Sequence, residues 1–252
     1  MAKTSNKSLG IGIALAASFL VVLFLIFSPI FGEGKNGLVF ADDLFNKLSK
    51  GSSYFIPKVT ADNEKFMGKM FAVTFKVSSK PEDKPGDAEK RAERAAKLFT
   101  VNPGAKAEVK GSEIKLEGDL GLVLKAALED SDVMFKNEGD KLKEKYQAAM
   151  ATDDVKQIFR QWNNVLPKIN MELTKAKKIE EAGIVSAVTK KAVETAYNYY
   201  GVEAQKVSEK AVLMTGLLVF YVIYTMWWGF AIFYIFDGIG LTMSKSKVKK
   251  EV

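Results

Sequence analysis

LLVFYVIYTMWWGFAIFYIF, residues 217–236, holds nine aromatic side chains and no formal charge. It lies within a longer run, 211–236, that has no Asp, Glu, Lys or Arg, and residues 8–32 form a second such run. At ~1.5 Å of rise per residue, either run as a helix reaches across the ~30 Å hydrocarbon core of a bilayer. The intervening chain is charged throughout and long enough to bury a core of its own. Two transmembrane helices flanking one large domain is the plan this pattern predicts.

The placement of charge sets the expected topology. Lys3 and Lys7 precede the first run, and Lys245, Lys247, Lys249 and Lys250 follow the second. Lysine-rich tails stay on the cytoplasmic side, and long loops cross largely regardless of their charge. Both termini are therefore expected in the cytoplasm of a cell (inner) membrane, with residues 33–210 extracytoplasmic, in the periplasm. The first run exceeds the ~7–15-residue apolar core of a cleaved signal peptide, so it reads as an uncleaved signal anchor. The expected segments are a cytoplasmic tail (1–7), the first span (8–32), an α+β domain (33–135), a helical stalk (136–210), the second span (211–236) and a basic cytoplasmic tail (237–252).

Within the domain, GEGKN (32–36) leaves the membrane and ADDLFNKL (41–48) reads as a short helix that ends before Pro57. MFAVTFKVS (70–78) alternates, with Phe71, Val73, Phe75 and Val77 on one face, which is the signature of a half-buried strand. Asp87 is placed to cap the helix AEKRAERAAKLF. AKAEVKGSEIKLEG (105–118) is a hairpin whose Gly111-Ser112 suits a type II′ turn, and DLGLVLKAALED (119–130) returns to helical spacing. The order strand, helix, hairpin, helix predicts a small antiparallel sheet with helices on one face, in a ferredoxin-like α+β arrangement.

From about residue 134 the spacing is helical. Leu142, Tyr146, Met150, Val155, Ile158, Phe159 and Trp162 form one amphipathic series, with Asp153-Asp154 restarting a helix and Pro167 expected to break it. Ile179, Val185, Val188, Ala192, Ala196, Tyr200, Ala204, Val207 and Ala211 then recur mostly every three or four residues. That series predicts one long helix from about 170 to 236, a stalk continuous with the second span. Its alanine-rich stripe suits packing against 137–165 or against another copy.

The inventory excludes much chemistry. The chain has no Cys and no His, which removes Cys/His zinc sites, cysteine-ligated clusters, c-type haem attachment, cysteine nucleophiles and Ser–His–Asp triads. The acid pairs Asp42-Asp43, Asp153-Asp154 and Glu180-Glu181 point ~100° apart on a helix and follow no calcium-loop spacing. No Gly-rich phosphate cradle occurs. A Ser–Lys pair in GKMFAVTFKVSSK would need a desolvated lysine, whereas these lysines fall on polar faces. No cofactor, metal site or nucleic-acid partner is expected.

The tryptophans pose the sharper question. Aromatic belts sit at headgroup depth, but with the second span centred near Ile223-Tyr224, Trp227 and Trp228 lie only ~5–7 Å from the midplane. Tyr221 and Tyr224 are equally deep. The first span supplies small residues at four-residue spacing, Gly10, Ala14 and Ser18 on one face and Gly12 and Ala16 on another. Nine aromatics exceed what one neighbouring helix covers. Tyr221, Tyr224, Trp227, Trp228, Phe230 and Tyr234 are therefore the expected partner contacts, to a homo-oligomer or to other membrane subunits within the lipid bilayer. The expected function is a non-enzymatic membrane scaffold or accessory subunit. The alternative is an extracytoplasmic sensor acting through a separate partner, which requires an apolar pocket in residues 66–135. An envelope hydrolase, the third reading, requires a cleft with a buried, pKa-shifted pair.

Overall fold

The computed structural model describes residues 5–77 and 84–241; the expected basic tail from 242 onward, Lys3 and the loop residues 78–83 lie outside them. In chain order the elements are α1 (Asn6–Phe27), α2 (Gly37–Ser52), α3 (Ile56–Asn63), β1 (Met70–Lys76), α4 (Asp87–Val101), β2 (Ala105–Lys110), β3 (Glu113–Asp119), α5 (Leu120–Phe135), α6 (Gly139–Met150), α7 (Val155–Lys175), α8 (Ile179–Val188), α9 (Glu194–Tyr199) and α10 (Ala211–Gly238). A π turn, Thr189–Val193, joins α8 to α9. The chain divides into two compact units, Met1–Leu48 with Gln205–Val252, and Ser49–Ala204.

In the first unit, α1 and the helical stretch ending in α10 are long and apolar enough to cross a membrane by length and composition. α1 stops at Phe27, earlier than the expected 32, because Pro29 disfavours helical backbone at Ser28, which is extended (φ −78°, ψ 149°).

The second unit is mostly helical around a three-stranded antiparallel sheet in the order β1–β3–β2. Phe71, Val73 and Phe75 of β1 and Ile114 and Leu116 of β3 are buried, while Lys76, Lys115 and Glu117 are exposed, so the helices cover one face as the alternation predicts. Gly111 takes φ 61° in the two-residue turn between Lys110 and Glu113. The strand order is that of a helix-linked strand pair with a hairpin strand between. The described residues contain no fourth strand to complete a ferredoxin-like sheet, and after α5 the chain stays helical. At α4 the N-cap is Gly86 (φ 87°) rather than Asp87, which lies in the first turn and accepts from the Lys84 amide at 2.9 Å.

The continuous stalk expected over 170–236 does not form. α7 ends in a 6→1 turn in which the Lys178 amide donates to Leu173 O (2.9 Å) and Lys177 takes left-handed backbone (φ 59°). The chain reverses there, and Val185, Val188, Ala192 and Ala196 turn into the core of the same unit. A second break follows α9 at Gly201 (φ 88°), and irregular backbone continues to Lys206. The alanine-rich stripe is thus an intrachain core face: burial at ~1.5–3 kcal/mol per large aliphatic side chain outweighs helix continuity. Pro167 does the opposite of what was expected and sits inside α7. It lies on the exposed face, and buried Val165, Leu166, Ile169 and Leu173 hold the helix on both sides of it against a local cost of ~3 kcal/mol.

The core of this unit surrounds one buried carboxylate. Asp130 of α5 is 2% exposed. Its Oδ1 accepts from Lys145 Nζ of α6 (2.6 Å), and its Oδ2 accepts from Trp162 Nε1 of α7 (2.8 Å) and from the Tyr146 hydroxyl of α6. Tyr146 in turn accepts from Asn102 Nδ2 at the end of α4, whose amide also donates to Leu98 O (2.9 Å). Burial, and next the Asp130 charge, push the Tyr146 phenol far above its usual range, which keeps it a donor. Asp130→Ala strands two buried donors, Tyr146 and Trp162, and a part-buried one, Lys145, and we expect it to lower stability by about 3–5 kcal/mol. Urea unfolding of the full chain in detergent, followed by Trp162 fluorescence, measures this; a loss below ~1 kcal/mol would contradict the assignment.

Candidate functional site

α1 and α10 pack along a seam that advances by seven residues on each helix. Near one end the Ser5 amide donates to Gly238 O at 3.2 Å. A Cβ built on Gly238 would lie 2.6 Å from Leu9 N, and one on Gly12 would lie 2.6 Å from Ile235 N. Ala231, one turn further along α10, is fully buried. Further along, Phe19 stacks on Tyr224 (centroids 4.2 Å apart, 20°) and tilts against Trp228 (4.7 Å, 34°). The seven-residue step is the spacing of left-handed helix pairs, and glycine at its tight points lets the backbones approach.

The expected site residues therefore divide three ways. Tyr224 and Trp228 pack on α1, so Trp228 is first an intrachain contact. Trp227, Phe230 and Tyr234, with Leu15, Ile223 and Met226, line an apolar groove of about 510 Å³. Tyr221 points away from the pair and is 65% exposed. Of the small residues, Gly12 lies on the seam and Ala16 is half-buried, whereas Gly10 and Ala14 are exposed. The Ser18 hydroxyl turns back to Leu15 O (2.9 Å). Leu9, Phe19, Ala231 and Gly238 are seam residues that the sequence reading missed. Their signal was the heptad interval, Gly12 to Phe19 and Ala231 to Gly238, which a search restricted to small residues of the first run passes over.

Two polar atoms in the pair are covered yet unbonded among the described residues, the Tyr224 hydroxyl and Trp227 Nε1. Hydrocarbon offers them no partner, so packing must hold both rings in place.

The second unit carries a different arrangement at its two ends. Lys50 is 2% exposed, and its Nζ donates to Asn137 Oδ1 (3.1 Å), Tyr199 O (3.1 Å) and Val202 O (2.6 Å) while lying 5.0 Å from the Phe135 ring centroid. Burial holds its pKa below the usual lysine range. Asn137, in left-handed backbone (φ 63°), accepts from the Gly201 amide (2.8 Å) and donates to Val202 O (2.9 Å). All three ammonium donors are engaged, so the group is set up as a clasp rather than offered as a nucleophile. Lys69, from the Ser–Lys candidate, is half-exposed beside Glu180 (3.8 Å), and Ser78 and Ser79 lie outside the described residues.

In residues 66–135 a depression of about 690 Å³ is lined by Lys106, Glu108, Lys115 and Glu117 among others. Lys106 registers against Glu117 and Glu108 against Lys115, so opposite charges face each other across the strands, and Lys115 also pairs with Glu117 along β3 at 3.7 Å. Met70, Ala105 and Leu122 supply its apolar part. Comparison of the chain with family models, with curated proteins and with solved structures gives no match.

Gly12→Val should cost the helix pair about 1–3 kcal/mol by overpacking, while Gly10→Val, whose Cβ meets no neighbouring element of the chain within 4 Å, should leave the α1–α10 pair itself intact. An SDS titration of the full chain, read by tryptophan fluorescence, separates the two; equal effects would refute the seam. Tyr224→Phe removes an unsatisfied hydroxyl, so the same titration should show no loss and a gain of up to ~1 kcal/mol. A clear loss would mean that the hydroxyl has an acceptor.

Proposed function

We propose that this chain is a non-enzymatic, membrane-anchored scaffold or accessory subunit that assembles through its helix pair. The observation carrying the reading is that α1 leaves much of the aromatic surface of α10 uncovered. Phe230 and Phe233 remain 51% and 53% exposed, beside a charge-free groove at the depth of Trp227. The occupant is an apolar helix of a second copy. The chain carries both halves of such a contact: the aromatic groove on α10, and on α1 the open small face of Gly10 and Ala14, where large side chains can settle.

The lysine-rich tails support cytoplasmic termini and an exported second unit. The lack of Cys and His removes cysteine nucleophiles, Ser–His–Asp triads and Cys/His metal sites from the possible chemistry. The mixed-charge sheet depression gives the sensor reading no support.

Met226 is 54% exposed in the groove and at ~100° per residue falls on the side of α10 away from seam positions 224, 228, 231 and 235, so Met226→Trp should fill the groove and leave the pair intact. Native mass determination after gentle extraction should show an oligomer of this chain, with Met226→Trp weakening it roughly tenfold or more. A monomer in the unmodified protein, or an oligomer indifferent to Met226→Trp, would overturn the proposal. Co-migration with other membrane subunits in place of self-association would reassign the groove's occupant.

A further inference from the structure

Of the 37 basic residues, only three are arginine, Arg91, Arg94 and Arg160. All three line one cleft of about 320 Å³ in the second unit, together with Lys168. Arg91 and Arg94 sit one turn apart on α4, and Arg160 and Lys168 project from one face of α7. Phe75 and Val77, at the end of β1, form the apolar part of the wall, and the carboxamides of Gln157, Gln161 and Asn164 complete the lining. Among the described residues no carboxylate lines this cleft.

We infer that the cleft binds a phosphoryl group, as a compact phosphate monoester or diphosphate. The argument begins with residue choice. Where only positive charge or solubility is needed this chain uses lysine. A guanidinium adds a planar fork that matches phosphate oxygens two at a time, and this cleft gathers every one the chain has. Arg160 is held in position, since its Nη2 donates to the Tyr197 hydroxyl at 2.6 Å and its guanidinium lies 5.7 Å from that ring's centroid. Arg94 makes no ion pair among the described residues. Charge decides the ligand class. A monocarboxylate brings one negative charge and a single pair of oxygens, whereas a phosphate monoester brings about −1.5 to −2 and three acceptor oxygens, enough to engage the guanidiniums of Arg94 and Arg160 together. The carboxamides add neutral donors, and the volume is at the lower end of the ~300–1,000 Å³ range for small-ligand sites. This inference is independent of the scaffold reading, because it lies in the other unit and uses none of the α1–α10 residues.

The test uses the full chain in phosphatidylcholine nanodiscs, with radiolabelled inorganic pyrophosphate as probe in equilibrium dialysis. Saturable binding is expected, and Arg94→Lys with Arg160→Lys should weaken it about tenfold or more, because charge is kept and the fork geometry is lost. Both side chains are at least partly exposed, and an unchanged melting temperature confirms that the variant folds. No saturable binding by the unmodified chain, or equal binding by the lysine variant, would overturn the proposal. A second set of discs containing phosphatidic acid distinguishes the sources. Displacement of pyrophosphate there supports a lipid phosphate in the cleft, and undiminished binding supports a soluble one.

Discussion

The second unit is organised around a single buried negative charge. An isolated carboxylate in that position would be prohibitive, and its presence requires every donor around it to be placed correctly. Lys145 supplies the compensating charge, and Tyr146 and Trp162 supply neutral donors, so α5, α6 and α7 each have one allowed position relative to Asp130. Asn102 extends the constraint to the end of α4. Hydrophobic burial alone tolerates sliding of one helix over another. A carboxylate that must meet three donors on two helices does not. Because α4 and α7 are thereby fixed, the cleft between them that gathers the arginines inherits its shape from the same carboxylate.

Legibility in the sequence followed the range of the interaction. β1 and the β2–β3 hairpin were readable because period-two alternation and a Gly-Ser turn are local signals. The apolar runs were readable because length and lack of charge are local as well. The reversal at Lys177 was not, since left-handed lysine at a helix end carries no residue signature of the kind that glycine does. Continuity past it looked better on spacing alone. Pro167 was misjudged because its effect depends on which face of α7 it occupies, and that is decided by neighbours far along the chain. Nothing local in LKAALEDSDVMF marks Asp130 for burial, and only the folded chain brings Tyr146 and Trp162 onto it.

The candidate site was legible in part for the same reason. The abundance of aromatics on α10 and the glycines on α1 were visible. Which glycine faced inward depended on a register between two helices nearly two hundred residues apart, set where Gly238 meets Leu9 and Gly12 meets Ile235. That register divides Trp227 from Trp228, since adjacent residues on a helix differ by ~100°. One ring braces the pair against Phe19 and the other faces the groove.

The clasp formed by Lys50 and Asn137 has a mechanical meaning. Lys50 stands at the entrance of the second unit, and Tyr199 to Val202 stand at its exit. The unit is thus a closed loop of chain whose two ends are latched to each other by short polar bonds. Tension pulling those ends apart loads the bonds from Lys50 to Tyr199 O and Val202 O directly. A body of this kind keeps its own ends together, so a pull on one end is resisted at the other.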